Sequence, residues 1–309
     1  MPDLALAATQ RARERDFLPL LNRPNLYKIT LPEVRAVSAS EFSFDVLVAA
    51  YNQARMDYIV PMPMNAARLR EYVYKYDVDL RASVVAVAEG RPLGLAMLGH
   101  RERRTWITRL GVIPTRRRDG TGQMLMEHLI AASRALDARV IILEVIQNNV
   151  PAHRMFRKLG FNETRELLII RRPPGLPEVT VPPYTVEHLD ADAATQLLAR
   201  RSSLPSWLDE TPSLVNAGNL GALRVTLDAG GWGWIVYRKT TFQLQALVIQ
   251  TEAGSPDDVG RALLHALHTR HPALDTKSEN LPAQDVHWPA LRAMGYIEAF
   301  RRIEMHRAL

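Results

Sequence analysis

Residues 110–136, LGVIPTRRRDGTGQMLMEHLIAASRAL, leave the chain little choice of local structure. The apolar residues ending at Ile113 read as the end of a strand, and Pro114 stops it, because proline donates nothing to a sheet ladder. From Gly120 to Leu136, the positions Met124, Leu125, Leu129, Ile130 and Ala132 share one helical face. A strand that passes through a short turn into a helix belongs to an α/β protein. The turn holds Arg116, Arg117 and Arg118 and then Gly120-Thr121-Gly122. A helix N-terminus has unpaired N–H groups and partial positive charge, and glycine permits both positive φ and close approach of a ligand to the backbone. The turn is therefore expected to seat a diphosphate-sized anion on the amides of residues 118–123. It is neither a P-loop, since Gly-Lys-Ser/Thr is missing, nor a dinucleotide fingerprint, since the third glycine is.

The flanking patterns predict a strand at 34–37, helices within 42–60 and 65–77, and a hairpin around Glu89-Gly90. A strand ending at Pro114, the helix, a β-branched strand at 139–146, a helix at 150–160 and a closing strand at 161–172 follow. Pro151 near the start and Gly160 at the end suit that last helix. Five prolines between Arg171 and Tyr184 mark a linker over 173–182. Beyond it the pattern restarts: FRKLGFNETRE is echoed by LRAMGYIEAFR, and TWITRLGV by TFQLQALV. The chain reads as a diverged duplication, with an arginine-rich extension at 1–33, one domain at 34–172 and a second at 183–309.

A length of 309 residues accommodates two such domains, and 47% apolar with 23% charged residues is ordinary for a globular chain. No apolar run approaches the roughly 18 residues of a membrane span, and no basic n-region precedes the short apolar patch near the start. The expectation is a cytoplasmic protein without a membrane partner. Without cysteine there is neither a thiol nucleophile nor a thiolate metal site, and no metal is expected. Residues 1–172 hold 27 Lys/Arg against 18 Asp/Glu, and residues 173–309 hold 12 against 15. The first half would attract an anion, but no nucleic-acid motif or aromatic interleaving accompanies the arginines, so nucleic acid is not the expected partner.

The pattern V-x-P-x-x-R-x-x-G-x-G at Val112, Pro114, Arg117, Gly120 and Gly122 resembles the acetyl-CoA pyrophosphate loop of the GNAT superfamily of N-acetyltransferases. LEVIQNNVPAHRMFRKLGF, residues 143–161, resembles the family's second signature, and the order of elements extends the likeness over 34–172. The resemblance implies two tandem GNAT-like domains, each a mixed central sheet flanked by helices, with acetyl-CoA as cofactor. Leu110, Gly111 and Val112 would hydrogen-bond the pantetheine arm. Arg117, Arg118, Asp119, Gly120, Thr121, Gly122 and Gln123 would hold the pyrophosphate, and Asn149 would meet pantetheine near its thiol. Acyl transfer to an amine needs a neutral amine and a proton for the departing thiolate. Glu144, on the strand face opposite Leu143 and Val145, stands where some members carry the base. Phe156 stands where many carry a tyrosine acid, so the ring is kept and the hydroxyl lost.

The same likeness places Tyr58, Met62 and Met64 along the acceptor pocket. His100 is an alternative base, and Arg101, Arg103 and Arg104 are either a solvated edge or an attraction for an acidic acceptor. The second copy lacks Gly-x-Gly, and Asp257 and Asp258 at its helix start would repel a diphosphate, so a degenerate copy is expected. It would complete the acceptor pocket or mediate homodimer formation, and Trp232 and Trp234 read as core or interdomain contacts. The implied reaction is direct attack of a small-molecule or peptide amine on the CoA thioester. A non-catalytic CoA-binding protein is the alternative.

Overall fold

The computed structural model describes residues 33–60 and 62–309, so the extension expected at 1–33 lies, Glu33 apart, outside the described residues. The first half runs β1 (Arg35–Ser38), α1 (Phe44–Ala54), α2 (Ala66–Lys75), β2 (Val78–Ala88), β3 (Arg91–Arg101), β4 (Arg104–Val112), α3 (Thr121–Ala135), β5 (Val140–Ile146), α4 (Val150–Lys158) and β6 (Asn162–Arg172). Local chemistry sets several of these boundaries. Ser43, Asn65 and Asn149 cap α1, α2 and α4 by accepting from Val46, Arg68 and Ala152 N–H. The β2–β3 turn has Glu89 and Gly90 at φ 51° and 74°, the positive pair that a tight two-residue hairpin needs.

The second half repeats that order: β7 (Tyr184–Leu189), α5 (Ala191–Arg200), α6 (Thr211–Ala217), β8 (Leu220–Leu227), β9 (Trp232–Lys239), β10 (Gln243–Ala253), α7 (Pro256–Arg270), β11 (Asp275–Pro282), α8 (Trp288–Ala293) and β12 (Ile297–Ala308). Gly160 and Gly295, at φ 84° and 85°, end the corresponding helices α4 and α8. The 173–182 segment is tied to the second half. Gly175 N–H donates to Pro272 O at 2.7 Å, and Val179 and Val181 pack on its core.

All the strands join one mixed twelve-stranded sheet, in the order β1-β2-β3-β4-β5-β12-β6-β11-β10-β9-β8-β7. The closing strand expected at 161–172 therefore does not close its own half. β12 pairs antiparallel with β5, β6 pairs antiparallel with β11, and the two exchanged strands pair with each other. Burial follows the exchange: Met305 of β12 joins the core under α3, while Leu168 and Ile170 of β6 join the core under α7. Each half thus buries a strand belonging to the other, and Val34–Leu309 is a single compact unit.

A second clasp lies on the opposite sheet face. Trp207 stacks on Trp106, ring centroids 5.8 Å apart at 13°, and its Nε1–H donates to Tyr76 O at 3.0 Å inside the α1–α2 core. Arg101, 8% exposed, crosses the same boundary to Glu210 at 2.9 Å, to Ser213 Oγ and to the Trp207 carbonyl. Arg104 also pairs with Glu210. These arginines are therefore neither a solvated edge nor free for an acceptor, whereas Arg103 forms an exposed pair with Asp137. Trp232 and Trp234 lie in the core of the second half against α5, not between the halves.

Candidate functional site

β4 and β5 run parallel from Arg104 opposite Val140 to Ile107 opposite Leu143, and their pairing stops there. Arg109, at φ 56°, forms a bulge with a register shift against β3. Bulges bend and twist a strand, and this one accompanies the separation of β4 from β5. β4 keeps its ladder to β3 through Gly111 and Val112, so its other edge is left without a strand partner. Such an edge can accept an extended chain with amides of its own, which is the chemistry of pantetheine. Two edge carbonyls are already engaged, Leu110 O by Arg55 Nη2 at 3.4 Å and Val112 O by Arg117 Nε at 3.0 Å.

The loop beyond β4 differs in detail from the expectation. Gly120 is the N-cap of α3 at φ 93°, without a side-chain cap, and Arg118 has φ 67°. These left-handed residues give the loop its concavity. Gly122 has no such requirement: a Cβ there would lie 3.7 Å from Met155 Sδ and 3.8 Å from Val112 Cγ2, ordinary contacts. Nothing within the protein therefore requires glycine at this position, and its bare backbone is open to a ligand at the helix N-terminus.

Arg117, expected at the pyrophosphate, is instead a brace. Its Nη1 and Nη2 donate to the Asp57 carboxylate at 2.7 and 2.6 Å, and Nη2 also donates to Ala54 O. Asp119 is internal to the loop as well. Its Oδ1 accepts from Thr121 N and Oγ1, and its Oδ2 from Arg116 Nε. That leaves the N–H groups of Gly122 and Gln123 as the first-turn donors outside the helical ladder, which begins with Met124 N–H to Gly120 O. The Gln123 side chain bonds Glu127.

A cavity of about 210 Å³ occupies the mouth of the β4–β5 split. It brings together Leu110, Glu144, Asn149, Phe156, Tyr58 and Met62 of the predicted residues. Met64 is not among its walls: the Asn52 side chain holds its backbone N–H and C=O at 3.0 and 2.9 Å, and it packs on the α1–α2 core. The loop residues 117–123 lie beyond the end of β4 and are not walls of this cavity either. His100 lies at the end of β3, paired with Thr105 of β4, its Nε2 at 2.8 Å from Glu102 O in the turn.

Glu144 alternates with Leu143 and Val145, which are buried under α3, so it shares the opposite face with Ile142. Burial pushes its carboxyl up to about 7, with the nearby Glu304 adding to the shift and Arg302 opposing it. Its Oε1 is buried without a hydrogen-bond partner. Glu304 stands directly opposite on β12, where burial would raise its carboxyl, but hydrogen bonds from His306 and Arg165 hold it below the usual range. Phe156 is 5% exposed and meets Phe161 edge-on at 6.2 Å, so the ring does the packing expected of it. Asn149 both lines the cavity and caps α4, its Oδ1 accepting from Ala152 N–H at 3.4 Å.

The walls also include residues that sequence reasoning did not find: Arg55, Tyr72 and Arg109 from the first half, Leu208, Glu279 and Arg302 from the second. Arg302 arrives on the exchanged strand β12 and donates to Glu279 at 2.8 Å and Asn280 at 3.0 Å. Burial works against ionisation of Glu279, but Arg302 and Lys277 outweigh it and hold the carboxyl at about 2. One signal was available, since Glu279 precedes Gly295 by the same distance as Glu144 precedes Gly160.

The corresponding split between β10 and β11 also carries a bulge, at Ala246 with φ 52°, but encloses only about 50 Å³. There the N-terminus of α7 is capped by Ser255, which accepts from Asp258 N–H, and Asp257 pairs with Arg261. Among the described residues no cluster of three or more His, Asp or Glu could hold a metal, and no helix is long and apolar enough to cross a membrane.

Residues 48–161 match the acetyltransferase (GNAT) family. Three solved structures share the architecture over nearly the whole chain. A GCN5-related N-acetyltransferase from Sphaerobacter thermophilus is 17% identical, over 90% of this chain and 97% of that one, with a TM-score of 0.68. A putative acetyltransferase from Pyrococcus horikoshii is 13% identical over 93% and 92%, with a TM-score of 0.59. A tandem GNAT protein from the clavulanic acid biosynthesis pathway is 15% identical over 89% and 98%, also at 0.59. At such identities the likeness is one of fold: two GNAT-like units in tandem. No protein of curated function matches the chain.

Proposed function

We propose, from the match of residues 48–161 to the GNAT acetyltransferase family, that this chain transfers an acyl group from a CoA thioester directly to an amine, with Glu144 as general base. The observation that carries the reading is the meeting, in one cavity, of a carboxyl held near neutrality and the edge of β4 that no strand pairs. Acetyl-CoA, when bound, supplies an activated acyl carbonyl and a thiolate leaving group. The open edge at Leu110, Gly111 and Val112 suits its pantetheine amides, and Asn149 suits the thiol end of that arm. Arg118, Gly120, Gly122 and Gln123 suit its diphosphate through backbone groups, while Arg117 and Asp119 shape that seat and Thr121 is held by Asp119.

Glu144 would take the proton from the incoming ammonium. A base with a pKa near the working pH combines a usable ionised fraction with enough basicity to act. Tyr58 and Met62 would line the acceptor side. Phe156 cannot protonate the thiolate, and a thiolate near the ordinary thiol range is a tolerable leaving group without that help. The second half, with Ser255, Asp257 and Asp258 at the start of α7, is read as a copy that no longer binds CoA and that completes the acceptor pocket instead. The protein is taken to act in the cytoplasm, on a small-molecule or peptide amine.

The test is calorimetric titration of acetyl-CoA and CoA, followed by thiol release with an amine panel. One CoA site per chain and amine-dependent release above hydrolysis are expected. CoA binding without release under any amine would favour the reading that Phe156 supports, a non-catalytic CoA binder. Absence of binding would remove both.

A further inference from the structure

We propose that the acceptor amine also carries a carboxylate, which Arg109, with Arg55 beside it, holds while the amine lies at Glu144. This rests on the acyl-transfer reading and adds the class of acceptor. Three guanidinium groups line the cavity, and Arg302 is already matched by Glu279. Among the described residues, neither Arg55 nor Arg109 forms an ion pair, Glu279 acting on Arg109 only through space, and the Nε of each is buried without a hydrogen bond. Arg109 makes one side-chain hydrogen bond, to Tyr51 Oη at 2.8 Å, and Arg55 one, to Leu110 O at 3.4 Å.

Four other arginines taken out of water have their N–H groups met by oxygens: Arg101 by Glu210, Arg165 by Glu304, Arg302 by Glu279, and Arg172, which has no carboxylate, by the carbonyls of Met294, Pro173 and Gly175. Arg55 and Arg109 are half-buried, each with its Nε out of water and unbonded, and two such guanidinium groups in one cavity call for an explanation. Tyrosine rings supply part of it. The Arg109 guanidinium lies 4.1 Å from the Tyr72 ring centroid and that of Arg55 4.2 Å from Tyr58, while Tyr51 serves both. Stacking fixes each plane and offsets some of the charge, but a ring face leaves the in-plane N–H groups unmet. A carboxylate presents two oxygens to such a planar fork.

Position supports the same conclusion. Arg109 occupies the positive-φ bulge, where a non-glycine residue is strained by about 1–3 kcal/mol, and stored strain of this kind gathers at functional sites. Its partner ring Tyr72 belongs to the core that also contains Ile142, the face on which Glu144 stands. Anion anchor and base therefore share one side of the sheet, whereas Phe156 and Val145 belong to the other.

The experiment measures CoA release with amines in matched pairs: an α-amino acid against its amide, and an aminoalkylphosphonate against the plain alkylamine. The same compounds are titrated by calorimetry into the CoA-loaded protein. The carboxylate member should be favoured about 10-fold or more in kcat/KM, the scale of a charge-assisted hydrogen bond. Arg109→Met should collapse that ratio mainly through KM, and Arg109→Lys, which keeps the charge but not the fork, should restore only part of it. CoA affinity of both variants checks their fold. An equal or better neutral member, or an unchanged ratio in Arg109→Met, would overturn the proposal, and preference for the phosphonate would replace carboxylate by phosphate. Arg109-dependent binding of carboxylate amines without any CoA release would leave the anion site standing and sink the acyl-transfer reading alone. No binding of any anionic amine would sink the site.

Discussion

Glu144 carries the sharpest residue-level predictions. In its proposed role as base it must be ionised, so wild-type kcat/KM should rise with pH through about 7, where burial has placed its carboxyl. Glu144→Gln should lower kcat/KM by about 10²- to 10³-fold and abolish that rise, with CoA affinity retained. Stability moves the other way. The folded carboxyl titrates at about 7 and the unfolded one near 4.5, so between these values the folded state holds more protons. Wild-type stability contributed by this group is therefore lost as pH rises from about 4.5 to 7. Thermal melts should show Glu144→Gln more stable than wild type at pH 8 and the two converging near pH 5; the reverse order would contradict the burial that raises this pKa. The places of Glu144 and Phe156 in the cavity wall were legible because strand alternation and motif spacing fix them locally. Arg302 was not, since its place beside Glu144 depends on a strand from the far end of the chain.

The loop between β4 and α3 shows what a motif conveys at the scale of an element. Strand, turn and helix were readable from Pro114, Gly120 and the apolar face of α3, but the roles of Arg117 and Asp119 depend on Asp57, Ala54 and Arg116. The two glycines should separate experimentally. Gly120→Ala, forced to φ 93°, should cost about 1–2 kcal/mol in unfolding free energy. Gly122→Ala meets nothing nearer than 3.7 Å and should stabilise the helix by about 0.5–1 kcal/mol while weakening CoA binding. Urea melts paired with CoA titrations read both effects, and undiminished affinity in Gly122→Ala would mean that the diphosphate does not approach there. β11 marks the opposite limit of legibility. Its inward residues Thr276, Ser278 and Asn280 are buried but polar, so no apolar alternation announces a strand. Ser278 Oγ instead accepts from Leu247 N–H beside the β10 bulge, a use of polarity visible only once the strands are paired.

For the molecule as a whole, the duplication was legible and the exchange of β6 and β12 was not. Periodicity and the two echoed segments specify the elements of each half, but both last strands carry the same kind of pattern and either could lie beside β5. Exchange makes the halves interdependent. Without residues 297–309, β5 loses its antiparallel neighbour, β6 loses one of two, and Met305 leaves the core beneath α3. Arg101, Glu210 and Trp207 add a buried polar and aromatic clasp, where removal of one charge of the pair costs about 3–5 kcal/mol. The intact chain should therefore unfold in one calorimetric transition, with equal van't Hoff and calorimetric enthalpies, despite its two-fold internal repeat. A chain ending at Tyr296 should fail to bind CoA although every predicted cofactor residue is present, and adding a 297–309 peptide should restore part of the binding. Two resolved transitions, or a truncated chain that binds CoA as tightly as the full one, would show that the first half is self-sufficient and that β12 contributes Arg302 to the cavity without holding the cofactor edge in place.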